Sequence, residues 1–455
     1  MKKILPILLL LAVSACERPR PASFEDYVTS VTLRPTDNAL RYQVDIVTAR
    51  DCEPRVEVRQ EGTDGWKTMP GRTVMFLYPE TAYAVRVRVG ELAGEPVPFT
   101  TGALPEEVPS YTVDLDQGGP GEGYLLYAKE NAPGYLVFTD MHARVVWYER
   151  FEDEGVRCMH FVPEQGKIAV LAGHKDETAS TAMHRPRYGQ HLYLIDLEGN
   201  RLSSIPTTAS HTEFPHHEAK LMPDGNLLTV EATIGYYDLS GVGGSARADV
   251  WGDGYVILSP DGRRVASWSC LPALDVMSNL SWLDPVLYQY DLVHGNSVSW
   301  DENGDFYLTY HYISEVWKVD GKTGKVLYRL GEHGNLSLDG PHASGFHAVI
   351  PLSPDRFLVN NNGARYGEPT RAQIYEVDPV RMTARRVFDV PAPEGYTSTT
   401  GGNVEFLPDG KSLLFNVTQA KSLVITDLEG RPLKAYGRKN TSYRAFYFAE
   451  VFPNR

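Results

Sequence analysis

The sequence predicts an all-β protein in which a β-sandwich precedes a six-bladed β-propeller. Three observations carry that expectation. No stretch of the 455 residues shows the apolar periodicity of a helix. Tyr83, Val85, Val87 and Val89 alternate with Ala84, Arg86 and Arg88, the period-two pattern of a strand with one buried and one wet face. From Gly121 onward, pairs of short apolar strands around a polar turn recur about six times, at the spacing of four-stranded blades.

Met1-Lys2-Lys3 is a basic start, and Ile4 to Val13 is an almost unbroken apolar run closed by Ser14-Ala15-Cys16. Such a run is too short for a permanent membrane span, and small residues directly before a cysteine suit a lipoprotein signal peptidase. Residues 1–16 are therefore read as a signal peptide ending on Cys16 as the lipidated residue; an ordinary secretory signal is the alternative. Residues 17–23 form the tether, because Pro19 and Pro21 disfavour helix. The expected address is the cell envelope, periplasmic or at the outer membrane or cell surface, with the membrane reached through lipid on Cys16. About 440 residues remain, more than one ordinary domain, and no later apolar run could cross a bilayer.

Residues 24–105 are assigned to the sandwich. Leu77-Tyr78-Pro79-Glu80-Thr81-Ala82-Tyr83 resembles the L-x-P-x-T-x-Y tyrosine corner of fibronectin type III domains, which are immunoglobulin-like sandwiches. That resemblance implies a spacer or docking module without chemistry. Leu104 to Ser110, with Pro105, Pro109 and paired glutamates, reads as the linker, and residues 111–455 as the propeller.

Within the propeller, turns recur at Pro223-Asp224-Gly225-Asn226, Pro260-Asp261-Gly262, Glu302-Asn303-Gly304, Pro354-Asp355 and Pro408-Asp409-Gly410, each followed by an apolar strand. A second type of strand ends in an acidic turn at Asp196, Asp320, Asp378 and Asp427. Tyr443 to Phe452 is expected to pair into the first blade and close the ring, removing the open edge. Three long segments, 174–189, 231–253 and 270–290, interrupt the repeat and are expected as loops rimming the channel.

The net charge of −14 argues against a nucleic-acid partner, because binding phosphates takes Lys and Arg. Beyond Cys16 only Cys52, Cys158 and Cys270 remain, enough for one disulfide; the pairing of Cys158 with Cys270 stays open.

The histidines fall at a common place. His217, His294 and His347 each lie roughly six to eight residues upstream of a turn, where an innermost strand would begin. Equivalent positions on different blades converge on the propeller axis. Taken singly, each reads first as a blade-packing histidine bonded to backbone; three at nearly one register point to a shared site. Converging imidazoles have two chemical readings, metal ligation and nucleophilic or acid–base work.

The motifs match a family. His216-His217-Glu218 through Leu221-Met222-Pro223-Asp224-Gly225-Asn226 is similar to H-H-D…L-P-N-G-N, and His294-Gly295-Asn296-Ser297 to H-x-N-S. Asp320 to Val326 through Leu330-Gly331 is similar to D-x-K-T-G-K…L-G, and His347 with Asn361-Asn362-Gly363 to H-D…D-N-G. Together they resemble the bacterial arylsulfate sulfotransferases, lipid-anchored or periplasmic six-bladed propellers with an N-terminal β-sandwich, over nearly all of the mature chain.

The resemblance implies an enzyme that works without nucleotide sulfate, cofactor or metal. It implies His347 as the nucleophile that takes a sulfuryl group from an aryl sulfate, with His217 and His294 beside it. A phenolate whose conjugate acid has a pKa near about 10 leaves without strong protonation. The sulfohistidine then passes its group to a phenolic acceptor, while donors stabilise charge on the sulfuryl oxygens. Asn296 reads equally as such a donor and as a turn residue.

The pattern departs from the family at two places. His311, in Thr309-Tyr310-His311-Tyr312-Ile313-Ser314, stands where the family has an anion-binding Arg. An imidazole is fully charged only below about 6.5 and lacks the bidentate fork, so sulfate binding is expected to be weaker or pH-dependent. Arg365 and Arg444 are candidate replacements, each reading first as a surface residue. The second departure is Ala348, where the family often has an acid. Trp282, Tyr288 and Tyr290 read first as loop packing and second as a stack for an aryl ring. Alternatives to the transferase are an inactive ligand-binding or scaffold propeller and an aryl sulfate hydrolase. The candidate protein partner is a second copy of the chain.

Overall fold

The computed structural model describes residues 22–173, 191–207, 213–277, 290–364 and 367–452. The chain forms two compact units. The first runs up to Arg34 and adds Tyr42–Val74 and Ala82–Phe99; the second takes Pro35–Arg41, Met75–Thr81 and everything from Thr100.

Two sheets make up the first unit. One pairs Val28–Pro35, Tyr42–Thr48 and Thr73–Val74; the other orders Lys67–Thr68, Arg55–Gln60, Ala82–Val89 and Leu92–Ala93, with Val97–Thr100 also on Ala82–Val89. Tyr83, Val85 and Val87 are buried and the residues between them partly exposed, as the alternation requires; Val89, at the strand end, is half-buried.

The second unit is a six-bladed propeller. Blades two to six start with Gly155–Val162, Glu213–Leu221, Gly295–Trp300, Phe346–Ser353 and Asn403–Phe406, and each continues through three further antiparallel strands. The first strand of blade one comes from the other end of the chain: Ala445–Phe448 pairs Tyr124–Lys129, with Tyr124 opposite Phe448. The ring is closed a second time, because Tyr111–Asp116 adds a fifth strand to blade six beside Pro432–Arg438. Both closures cover sheet edges. The closing strand is shorter than expected. Ala128 donates its N–H to Ser442 Oγ instead of a strand carbonyl, so pairing stops at Ala445 and Tyr443–Arg444 precede the strand.

Apolar clusters between blades hold the ring. The largest joins Leu228, Val230 and Tyr255 of blade three to Val298, Leu308 and Trp317 of blade four, all nearly inaccessible to water. Burial of each such side chain contributes roughly 1.5–3 kcal/mol.

One expectation is corrected. Residues 231–253 are no rim loop: Leu227–Tyr237 and Ala248–Leu258 are eleven-residue strands paired from Leu227↔Leu258 to Tyr237↔Ala248. Thr229, Val230 and Ala232 on one strand and Val250, Trp251 and Tyr255 on the other have buried partners that a loop would lack. Pro260-Asp261-Gly262 joins the third and fourth strands of blade three, whereas the other turns join first and second strands. Cys158 and Cys270 are buried free thiols in different blades, so they do not pair. Residues 174–189, most of 278–290, and the leader and tether with Cys16 lie outside the described residues. Among the described residues no helix is long and apolar enough to cross a membrane.

Candidate active site

The histidines sit where the first strands lose their register. The shift falls between His216 and Lys220 in blade three, Gly295 and Ser297 in blade four, and His347 and Ile350 in blade five. A bulge at this place re-aims side chains away from the ladder. The backbone is left-handed at His217 (φ 59°), His294 (φ 52°) and Ala348 (φ 50°), so in blade five the strained residue follows the histidine.

Around the channel the rings close into a circle. Centroids lie 5.1 Å apart for His217–His294, 6.2 Å for His294–His311 and 4.8 Å for His311–His347. Tyr443 completes it, 6.2 Å from His347 and 5.4 Å from His217. The three predicted histidines and His311 are therefore brought together.

Their partners give them different charge. His347 Nδ1 lies 2.6 Å from Asn362 Oδ1, which makes Nδ1 the protonated nitrogen; Nε2 accepts the Gly401 N–H at 3.1 Å. Burial holds the His347 pKa well below the ordinary value, and His311 and the Arg444 charge push the same way, so the ring is a neutral imidazole. His217 is likewise lowered by burial, then by His216, His294 and Arg157. His311 is lowered to about 4, chiefly by burial and by His294. His294 is the exception. Burial acts to lower it, but Asp291 Oδ2, 2.6 Å from Nδ1, and Asp253 outweigh that and raise its pKa. His294 is thus the one of the four imidazoles whose carboxylate neighbours favour the protonated form.

His311, in the place of the family cation, carries no charge at neutral pH. Two guanidiniums lie against Tyr443 of the ring. Arg444 was expected at the surface; it is 1% exposed, because it precedes the closing strand and turns into the ring. It donates to the carbonyls of Gly402 at 2.7 Å and Asn296 at 2.9 Å, and lies 3.8 Å from the Glu218 carboxylate, so it bridges blades six, four and three. Arg157, on the first strand of blade two, pairs with Glu130 at 2.6 Å and covers the Tyr443 ring at 4.6 Å. Asn296 is fully buried and engaged as a strut: Nδ2 donates to the Phe346 carbonyl and Oδ1 accepts the Thr309 hydroxyl. Arg365, Trp282, Tyr288 and the side chain of Tyr290 lie outside the described residues.

Beside His217 and His294 a narrow cleft of about 20 Å³ is walled by Phe214, Ala232 and Trp251, with Asp253 and Asp291 at its polar end. Among the described residues no three His, Cys, Asp or Glu side chains gather so as to hold a metal ion. A ring of neutral imidazoles with fixed cations suits an anionic substrate attacked by a nitrogen nucleophile.

Comparison with known proteins agrees. The family model for arylsulfotransferases matches residues 117–435, well over half of the chain. The chain belongs to the arylsulfotransferase family. No curated protein matches it in sequence. Among solved structures, a protein of unknown function from Bacteroides caccae is 13% identical, covers 72% of this chain and 100% of its own, and has a TM-score of 0.47. A periplasmic gluconolactonase of Pseudomonas aeruginosa is 12% identical over 87% and 99%, with a TM-score of 0.37. At these TM-scores neither likeness supports any argument about this chain.

In this member of the family, sequence reasoning missed Arg157, Asp253, Asp291, Gly401 and Tyr443. For two of them the signal was present. The offset that finds the histidines lands on Arg157, six residues before Pro163, and on Gly401, seven before Pro408. Arg157 lies in the first strand of its blade and Gly401 just before the first strand of its own, without an imidazole to draw notice.

Proposed function

We propose that the chain transfers a sulfuryl group from an aryl sulfate ester to a phenolic acceptor, in two half-reactions through a sulfohistidine at His347. The observation that carries this is the state of His347: a buried neutral imidazole, its Nδ1–H fixed on Asn362, next to His311 in the ring and within reach of the Arg444 charge. In the first half-reaction Nε2 exchanges its Gly401 N–H bond for the sulfur. The N–S bond forms as the S–O bond to the aryl group breaks, and the phenolate departs. Losing one such hydrogen bond costs about 0.5–1.5 kcal/mol, small beside the barrier. Arg157, Arg444 and the His294 imidazolium offset the charge on the sulfuryl oxygens.

A location outside the cytoplasm on a Cys16 lipid belongs to the same reading. No pool of activated nucleotide sulfate exists there, so the donor must arrive already esterified. Incubation with a chromogenic aryl sulfate, with and without phenol, tests the reaction. Phenol release that rises with acceptor supports transfer; release indifferent to acceptor indicates hydrolysis; none in either case leaves a binding propeller. Acid-labile sulfate on His347, lost in His347→Asn, locates the intermediate.

A further inference from the structure

Blade three carries more strand than its blade uses. From Ile234↔Trp251 to Tyr237↔Ala248 the hairpin runs on without the first and fourth strands, whose pairing with it stops at Thr233 and Gly254. A two-stranded ribbon is marginal in water, so packing must hold it in place. Its side chains alternate between two faces. Trp251 and Asp253 lie on one, where Trp251 packs on Phe214 and Ala232, all buried. Ala248, Val250 and Gly252 lie on the other, where Leu271, Leu274 and Val276 cover the ribbon. Two glycines on this face make room for Leu271: a Cβ on Gly252 would stand 2.5 Å from Leu271 Cγ, and one on Gly235 3.1 Å from Leu271 Cδ1. Cys270, next to it in the chain, donates its N–H to the Asp253 carbonyl at 3.2 Å.

The ribbon reaches His294 from both sides. Before the histidine, Tyr290–Asp291 adds to the ribbon as a short parallel strand with Asp291 opposite Trp251, and the Trp251 carbonyl accepts the Leu292 N–H at 3.2 Å. After it, Asp253 accepts the Gly295 N–H. Between these two points Asp291 turns back on the histidine, with Oδ1 accepting its N–H at 3.1 Å and Oδ2 lying 2.6 Å from Nδ1. His347, by contrast, takes its partner Asn362 from the end of a strand of its own blade. The groups that face the His294 imidazole are Asp291, Asp253, Arg157, the rings of His217 and His311, and Tyr312, stacked on it at 4.6 Å. Burial lowers the His294 pKa, and the two carboxylates that the ribbon carries or pairs with outweigh it.

We propose that the lengthened hairpin of blade three is a positioning device for His294, and that Leu271, on the face of the ribbon opposite Asp253, is a positioning residue of the site. A change in the Leu271 contact shifts the ribbon. Asp253 moves because it belongs to the ribbon, and Asp291 because it is paired to it. The attraction between each carboxylate and the imidazole weakens as their separation grows. The inference rests on the reaction given above only for its consequence in turnover.

The test needs no turnover. Isotope-labelled histidines are titrated by NMR in the full chain, with the His294 signal assigned by its loss in His294→Gln. Leu271→Ala and Gly252→Ala disturb one contact in opposite ways, the first leaving a cavity and the second overfilling it. Both are expected to lower the His294 pKa, in the direction of Asp291→Asn but less far. Leu271→Met keeps the volume and should restore it. Leu413→Ala, in the core of blade six, should lower the melting temperature and leave the His294 titration where it was. With a chromogenic aryl sulfate at neutral pH, Leu271→Ala should run about threefold slower, a size that coupling through packed side chains allows. A His294 titration unchanged in both Leu271→Ala and Gly252→Ala, while Asp291→Asn lowers it, overturns the inference; so does an equal change in Leu413→Ala. A wild-type chain that releases no phenol overturns the reaction alone, and the titration still decides the positioning.

Discussion

The first strands of the propeller treat their two ends differently. At the turn end, left-handed backbone falls mostly on glycine, Gly225 at φ 86°, Gly304 at 82° and Gly410 at 65°, with Asp355 at 63° in blade five. Gly225, Gly304 and Gly410 have open space around them, so only their conformation demands glycine. At the channel end the same conformation falls on His217, His294 and Ala348. A side chain there costs roughly 1–2 kcal/mol in left-handed geometry. One end is relaxed and serves folding. The other holds strain and buried charge that the closed ring must sustain, as sites built for placement do.

The sharpest way to break that contrast is His347→Asn. Activity toward a chromogenic aryl sulfate is expected to fall by about 10³-fold or more, with the melting temperature nearly unchanged. Arg444→Met strikes the same end through stability. It leaves the Glu218 carboxylate buried without its cation and two carbonyls without their donor, and should cost about 3–5 kcal/mol by urea unfolding.

Asp291→Asn acts through charge. The raised His294 pKa keeps the imidazolium above the ordinary value near 6.5, so activity should persist there and fall as pH rises through the raised value. Without the carboxylate, burial prevails and the falling limb of the pH–rate profile should move acidward, with about 10-fold lower rate at neutral pH. His294 also contributes stability that is present below the unfolded value and lost as pH rises through the folded one. His217, His347 and His311 act in the opposite sense. Folded, they refuse protons that the unfolded chain takes up, so stability should decline as pH drops below about 6.5, and for His311 level off near its folded value of about 4. His311→Gln should flatten that decline in a melting series. The smallest effect belongs to the turn end: Gly304→Ala, with nothing within 4 Å, should cost about 1 kcal/mol and leave activity intact.

Much of the fold was legible because blades are local. The acidic ends at Asp196, Asp320, Asp378 and Asp427 all close third strands, and four of the five turns named in the sequence join first to second strands. Pro260-Asp261-Gly262 is a turn too, between a third and a fourth strand, because such a turn uses the same chemistry as a first-to-second one. Residues 231–253 misled because a lengthened hairpin breaks the repeat as a loop does. In the site, His217, His294 and His347 were legible by offset and identity together. Arg157 and Gly401 had the offset alone, and Asp253 and Asp291 had neither.

The sequence by itself determined the blade period, the turn glycines and the offset that sets one residue of each blade toward the channel, since each depends on neighbours in the chain. Only the tertiary structure decided which of those residues meet and which carry charge. Tyr443 and Arg444 reach the ring because the last strand pairs with the first blade, and the His294 pKa is raised where those of His217, His311 and His347 are lowered because Asp291 shares its burial. Convergence needs the closed ring, and desolvation belongs to the assembled channel rather than to any segment of the chain.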